Sequence, residues 1–128
     1  MELNDLTCQI RGAIFRTHAA LGPGLLESVY EAALRHELER EGMAVISQLG
    51  IPMVYKEIKL DLGFRLDLLV NETVIIELKS VEALADVHFK TLLTYLRLAD
   101  KPLGILVNFN VISLEDKVSI KRVINSHK

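Results

Sequence analysis

Two carboxylates and a lysine fall close together in the middle of the chain, in Arg65-Leu-Asp-Leu-Leu-Val-Asn-Glu-Thr-Val-Ile-Ile-Glu-Leu-Lys79. Side chains alternate faces along a strand. Phe64, Leu66, Leu68 and Val70 therefore share one face of a first strand, and Val74, Ile76 and Leu78 one face of a second. Burying both apolar sets on one side of a sheet dictates the register, because a one-residue slip turns one set outward. That register pairs Val70 with Val74 and leaves Asn71-Glu72-Thr73 as the turn. It also puts Asp67 directly opposite Glu77, with Lys79 two residues further along on the same face. Directly facing residues have Cβ atoms roughly 5 Å apart, where like charges repel. A hard divalent cation reverses the sign of that interaction. Mg²⁺ is held by one or two carboxylates together with water and substrate phosphate, and Mn²⁺ takes the same kind of ligand. A lysine beside such a pair can orient the attacking water or stabilise charge growing on a phosphorane. These are the parts of a metal-assisted phosphodiester hydrolase. The competing reading is a solvated strand face on which Lys79 merely neutralises Glu77. Glu-x-Lys alone is weak evidence; its value comes from the Asp that an independent apolar pattern places opposite.

The elements that must hold these residues follow from the rest of the chain. Leu6, Ile10, Ala13 and Ile14 recur at helical spacing after a capping Asn4 or Asp5, and Leu21-Gly22-Pro23-Gly24 ends that helix. A second helix runs from just after Gly24 to about Glu41, with Leu26, Val29, Tyr30, Ala33, Leu34 and Leu38 as its apolar stripe. Met43–Gln48 and Ile51–Tyr55 read as extended. Glu57–Leu60 and Arg65–Val70 read as strands around a turn at Asp61-Leu62-Gly63, and Val74–Lys79 as another strand. Leu84–Leu98 is helical, with Leu84, Val87, Leu92, Tyr95 and Leu96 inward. Leu103–Phe109 is a continuous apolar run, the mark of a strand covered on both faces. Val111–Lys128 reads equally as edge strand or short helix. Short turns between neighbouring strands imply antiparallel pairing, and the helix before Leu103 implies a crossover. The fold class is α/β, a mixed sheet flanked by helices.

The chain has 128 residues, half of them apolar and a quarter charged, which fits one domain spanning 1–128. Its net charge of -2 provides no global field toward nucleic acid or anionic membrane, so binding to either needs a local basic patch. Cys8 is the one cysteine, which excludes an internal disulfide and, with no Cys/His cluster, argues against zinc. The N-terminus carries no basic, apolar leader and no run is long enough to span a bilayer, so a soluble, cytoplasmic protein with no membrane association is expected.

Asp67 followed, after a hairpin, by Glu77-Leu-Lys79 resembles the PD-(D/E)XK nuclease superfamily. Gly24-Leu-Leu-Glu27-Ser-Val-Tyr30 resembles the motif of the bacterial and archaeal GxxExxY proteins, a branch of that superfamily. The likeness extends from His18-Ala-Ala-Leu-Gly-Pro-Gly24 to Leu103-Gly-Ile-Leu-Val-Asn-Phe109. It implies a restriction-endonuclease-like core of helix, three antiparallel strands, helix and strand. It implies Mg²⁺ or Mn²⁺ held by Asp67 and Glu77, with Glu27 as a third carboxylate and Lys79 as the catalytic lysine. It implies a nucleic-acid substrate, DNA or RNA. Tyr30, Tyr95 and His18 become substrate-side candidates. The family often carries a glutamine four residues before the tyrosine of its downstream helix; here Thr91 stands there.

Each candidate also has a structural reading. An acid in a first helical turn, such as Glu27, is favoured by the helix dipole alone. Tyr30 and Tyr95 at helical spacing suit a core, and His18 and His88 beside apolar residues suit packing. Lys56 and Lys59 flank Glu57 as a basic rim or a solvated strand edge, and Lys117, Lys121, Arg122 and Lys128 make a basic tail. Two functions therefore stand: a Mg²⁺-dependent nuclease, or a nuclease fold without turnover that serves as a regulatory or oligomeric binding module. So short a chain has little surface for gripping a duplex, which points to a homodimer.

Overall fold

The computed structural model describes residues 1–126, with Asp61 and Leu62 described by their backbone alone. Lys128 of the basic tail lies outside the described residues. The first apolar period forms helix α1 (Leu3–Leu21), which buries Leu6, Ile10, Ala13 and Ile14. Its N-cap is Glu2, without a side-chain cap, rather than Asn4 or Asp5. Asn4 lies inside the helix and accepts a hydrogen bond from Arg122 at 3.1 Å. Gly22 ends α1 at φ 67° and donates its N–H to the His18 carbonyl at 2.8 Å. Helix α2 (Glu27–Arg40) buries Tyr30, Leu34 and Leu38, one residue per turn. Leu26 precedes the helix and Val29 points off this line, so both are exposed, against the broader stripe expected.

The extended stretches merge into two long strands, β1 (Val45–Tyr55) and β2 (Ile58–Val70). No turn forms at Asp61-Leu62-Gly63, because β2 runs through it. The hairpin instead closes at Lys56-Glu57, both left-handed at φ 47° and 70°, the backbone that matches strand twist in a two-residue loop. The β1–β2 register shifts between Pro52 and Met53. Gly63 faces that shift, and a Cβ there would lie 2.3 Å from the Ile51 carbonyl oxygen, so only glycine fits. Strand β3 (Val74–Lys79) follows the turn at Asn71–Thr73, where Asn71 and Glu72 are left-handed and Val70 pairs with Val74 as expected.

Helix α3 (Asp86–Ala99) then crosses over to β4 (Leu103–Asn108), which lies parallel to β3. The tail provides β5 (Ile120–Ile124), an antiparallel edge strand. The sheet order is β1-β2-β3-β4-β5. Helices α1 and α2 cover one face, packing Ile10, Ile14, Tyr30 and Leu34 on Leu68, Val70, Val74, Ile76 and Val107. Helix α3 covers the other with Leu92 and Leu96 on Leu69, Ile75 and Leu106. A Cβ on Gly104 would approach Leu92 to 2.9 Å, so this glycine lets α3 sit close on β4. Val87, expected inward on α3, is exposed. Among the described residues no helix is long and apolar enough to cross a membrane.

One break in alternation bears on the site. Phe64 and Leu66 pack with the α3-side core, whereas Leu68 and Val70 pack with the α1–α2 side. The four do not share a face as the alternation implied. The side changes at Asp67, and on β1 between Val45 and Leu49, where Gln48 adopts φ 52°. A left-handed residue inside β1 turns the ribbon over locally.

Candidate functional site

The regular pairing of β2 with β3 runs from Val70↔Val74 to Leu68↔Ile76 and goes no further. Beyond it, side chains replace the ladder. The Asp67 backbone N–H donates to Glu77 Oε2 at 2.8 Å, and the Leu78 backbone N–H donates to Asp67 Oδ2 at 2.9 Å. The two carboxylates thus occupy the fork where the strands part, just beyond the ladder in which the register had paired them. Glu77 is only 6% exposed. Burial, with the Asp67 charge added to it, pushes the Glu77 carboxyl up to about 8, and the Asp67 N–H and the Lys79 ammonium only partly oppose this. Asp67 is raised by burial too, against the Leu78 N–H and Lys79. Two acids that resist shedding their protons side by side suit a cation-binding pair. Lys79, half-buried at the end of β3, is near enough for its charge to favour ionisation of both.

Helix α2 brings two more carboxylates. Glu27 opens the helix and its Oε2 accepts the Ser80 N–H at 3.3 Å, just past Lys79, while Ser80 Oγ donates to the Leu25 carbonyl at 2.6 Å. One turn on, burial raises the Glu31 carboxyl, with Asp67 and Glu27 adding to it. From α3, Tyr95 closes the opposite side. Its ring stacks on Phe64 with centroids 4.4 Å apart, and its hydroxyl is raised by burial and then by Glu77 and Asp67.

The profile of the PD-(D/E)XK nuclease superfamily matches residues 4–123, nearly the whole chain. The chain belongs to the PD-(D/E)XK nuclease superfamily. No curated protein and no solved structure matches it. The α/β architecture, with its mixed sheet between helices, is the restriction-endonuclease-like fold of that superfamily.

Asp67, Glu77, Lys79, Glu27 and Tyr95 lie around the fork, and three expectations are corrected. Tyr30 has no exposed surface: its ring stacks on Phe109 at 4.5 Å, and its hydroxyl donates to the Gly22 carbonyl at 2.6 Å and accepts the Leu25 N–H at 3.1 Å. It ties the Gly-Pro-Gly turn to the core and has no face for a substrate. His18 is buried with Nε2 2.7 Å from the Val111 carbonyl oxygen, a packed histidine on α1. His88 accepts the Ala85 N–H on Nδ1 at 3.0 Å, serving the start of α3. Nor do Glu27, Asp67 and Glu77 form one closed ligand set. Among the described residues no three His, Cys, Asp or Glu side chains converge as a metal cage, because Glu27 is turned to the Ser80 N–H.

Sequence reasoning gave neither Gln48 nor Glu31 a place at the site. Gln48 Nε2 donates to Glu31 Oε1 at 2.7 Å and lies 3.5 Å from Asp67 Oδ1. A glutamine amide therefore does reach the acidic pair, from β1 rather than from the Thr91 position of α3. No spacing rule marks Gln48; the left-handed backbone that aims it has no sequence signature outside Gly, Asn and Asp.

Proposed function

We propose that this protein is a metal-dependent nuclease that hydrolyses phosphodiester bonds of nucleic acid. The observation that carries this reading is the reciprocal Asp67–Glu77 arrangement at the β2–β3 fork, with Lys79 beside it. The donor set fits a hard cation: Mg²⁺ asks for one or two carboxylates and keeps several waters. Asp67 and Glu77 would hold Mg²⁺ or Mn²⁺, with Glu27 and Glu31 adding negative field from α2. Such a cation, when bound, activates water and polarises the scissile phosphate. Lys79 supplies fixed positive charge where the phosphate gains negative charge in the transition state. Gln48 restrains Asp67 and Glu31, and Tyr95 with Phe64 walls the α3 side against water.

A nuclease-fold binding module without turnover is the second reading, favoured by the fact that both acids already accept backbone N–H groups. Turnover separates the two. Purified protein is offered single- and double-stranded DNA and RNA with Mg²⁺ or Mn²⁺, beside Lys79→Ala. Cleavage by wild type alone supports the nuclease; no cleavage of any substrate leaves the binding module. Light scattering on the same preparation reads whether two copies pair, as the small size suggests.

A further inference from the structure

The β1–β2 ribbon runs on past both cores. Ile51 and Phe64, opposite each other in the ladder, are the outermost of its residues to pack in a core. Past the register shift, Met53 lies opposite Leu60 and Tyr55 opposite Ile58, while Val54 lies opposite Lys59. Directly opposed side chains share a face, and successive ones alternate. One face of this arm is therefore Met53, Tyr55, Ile58 and Leu60, apolar throughout, and the other carries Val54 and Lys59. None of the four packs in either core, and Tyr55 and Ile58 stay 58% and 61% exposed. The whole chain exposes 7542 Å². A compact monomer of its mass, 14.4 kDa, exposes about 6,800 Å². The excess of about 700 Å² is close to the roughly 800 Å² that each partner contributes to a standard interface.

We propose that two copies of this chain pair through these arms, the apolar face of one against the same face of its partner across a two-fold axis. The inference is independent of the nuclease reading. A two-fold contact must be self-complementary, and an apolar face meets that demand against itself. Charge favours this occupant too. From Pro52 to Gly63 the sequence sets Lys56 and Lys59 against Glu57 and Asp61, so the arm is neutral. Two copies meet without net like-charge repulsion, whereas a polyanion calls for a cationic surface. Lys56, its ammonium 5.4 Å from the Tyr55 ring, and Glu57 beside it in the loop supply the polar rim that surrounds an apolar interface. Pairing through a sheet edge is the poorer fit. β1 is interrupted by left-handed Gln48 and by Pro52, which has no N–H, and β5 carries Lys121 and Arg122.

The test is the mass in solution, by sedimentation equilibrium of the full chain from micromolar to submillimolar protein. Wild type should reach twice 14.4 kDa. Ile58→Glu should stay a single chain over the same range, because its carboxylate would be buried at the interface without a partner. Leu60→Glu, on the same face, should do the same. Val54→Glu makes the same change of charge on the opposite face, across from Lys59, and should pair like wild type. Circular dichroism reads the fold of each, and all four proteins should give one spectrum; should Ile58→Glu misfold, Leu60→Glu decides. A wild type of single-chain mass throughout, a folded Ile58→Glu or Leu60→Glu that still pairs, or a Val54→Glu that dissociates equally overturns the arm interface. So does a single-chain wild type that floats with zwitterionic vesicles, or binds an oligonucleotide, and loses that binding in Ile58→Glu; the face then belongs to a lipid or a nucleic acid. Cleavage with Mg²⁺ is scored on the same preparations. A protein that cuts as a single chain keeps the nuclease and loses the interface, and one that pairs through Ile58 and cuts nothing does the reverse.

Discussion

Asp67 donates its backbone N–H to the Glu77 carboxylate at 2.8 Å, while its own carboxylate accepts the N–H of Leu78, the next residue on Glu77's strand, at 2.9 Å. Each acid thus replaces a backbone carbonyl in the ladder where β2 and β3 separate. This stitches the fork together with the groups that a cation would use.

The first consequence is a pH-dependent stability. The Glu77 carboxyl is raised to about 8 in the fold, against roughly 4.3 in an unfolded chain. Between these values the folded state keeps a proton that the unfolded state loses. The stabilisation is full below the unfolded value and disappears as pH rises through the folded one. In chelator the melting temperature should therefore fall from about pH 5 to pH 8. Glu77→Gln, which keeps an acceptor for the Asp67 N–H and has no proton to lose, should flatten that fall. Parallel pH profiles for the two proteins would remove the burial argument.

Divalent cation should act in the opposite sense. An ion that binds only the folded site raises the melting temperature by mass action, about 2.7 kcal/mol at a hundredfold excess over Kd. Because the ion competes with the Glu77 proton, the rise should grow with pH. Thermal melts with and without Mg²⁺ or Mn²⁺ read this directly. Asp67→Asn should lose most of the response, and no shift with either ion argues against a working metal site.

Lys79→Ala separates catalysis from screening. A charge that stabilises the transition state more than the ground state costs about 10²–10³ in turnover when removed. Substrate affinity should change little. If Lys79 only screened Glu77, its loss would move stability by roughly 0–1 kcal/mol and leave any cleavage intact.

Gln48 tests whether a strained backbone serves the site. Gly tolerates φ 52° better than glutamine does, so Gln48→Gly should melt no lower than wild type. It should nevertheless cut more slowly and bind Mn²⁺ more weakly, because the amide between Glu31 and Asp67 is gone. Unaltered turnover and Mn²⁺ affinity would reduce Gln48 to a strand residue.

Tyr30→Phe should behave as a core variant. It keeps the stack on Phe109 but leaves the Gly22 carbonyl and the Leu25 N–H without their partner, a cost of about 1–3 kcal/mol. Chemical denaturation measures it. A stability unchanged from wild type would mean that water replaces the hydroxyl at this turn.

By itself the sequence determined the β2–β3 pairing and with it the acidic pair. Val70 against Val74 follows from burying Leu68 and Val70 on one side with Val74, Ile76 and Leu78, and counting back from that pair puts Asp67 opposite Glu77. It also determined the parallel β4, since an unbroken apolar run preceded by a helix has no exposed face to offer. Periodicity is a local property, and these conclusions needed nothing else. Only the tertiary structure decided what surrounds the pair. Gln48 reaches Asp67 because one left-handed residue turns the β1–β2 ribbon over, and backbone sign is not written in a glutamine. Glu31 joins Asp67 while Tyr30, its chain neighbour, is buried, because the way α2 lies on the sheet chooses which side of the helix meets the fork. The same tyrosine at the same spacing would have served a substrate had the helix been rotated, and that rotation is set by long-range packing against α1, β3 and Phe109.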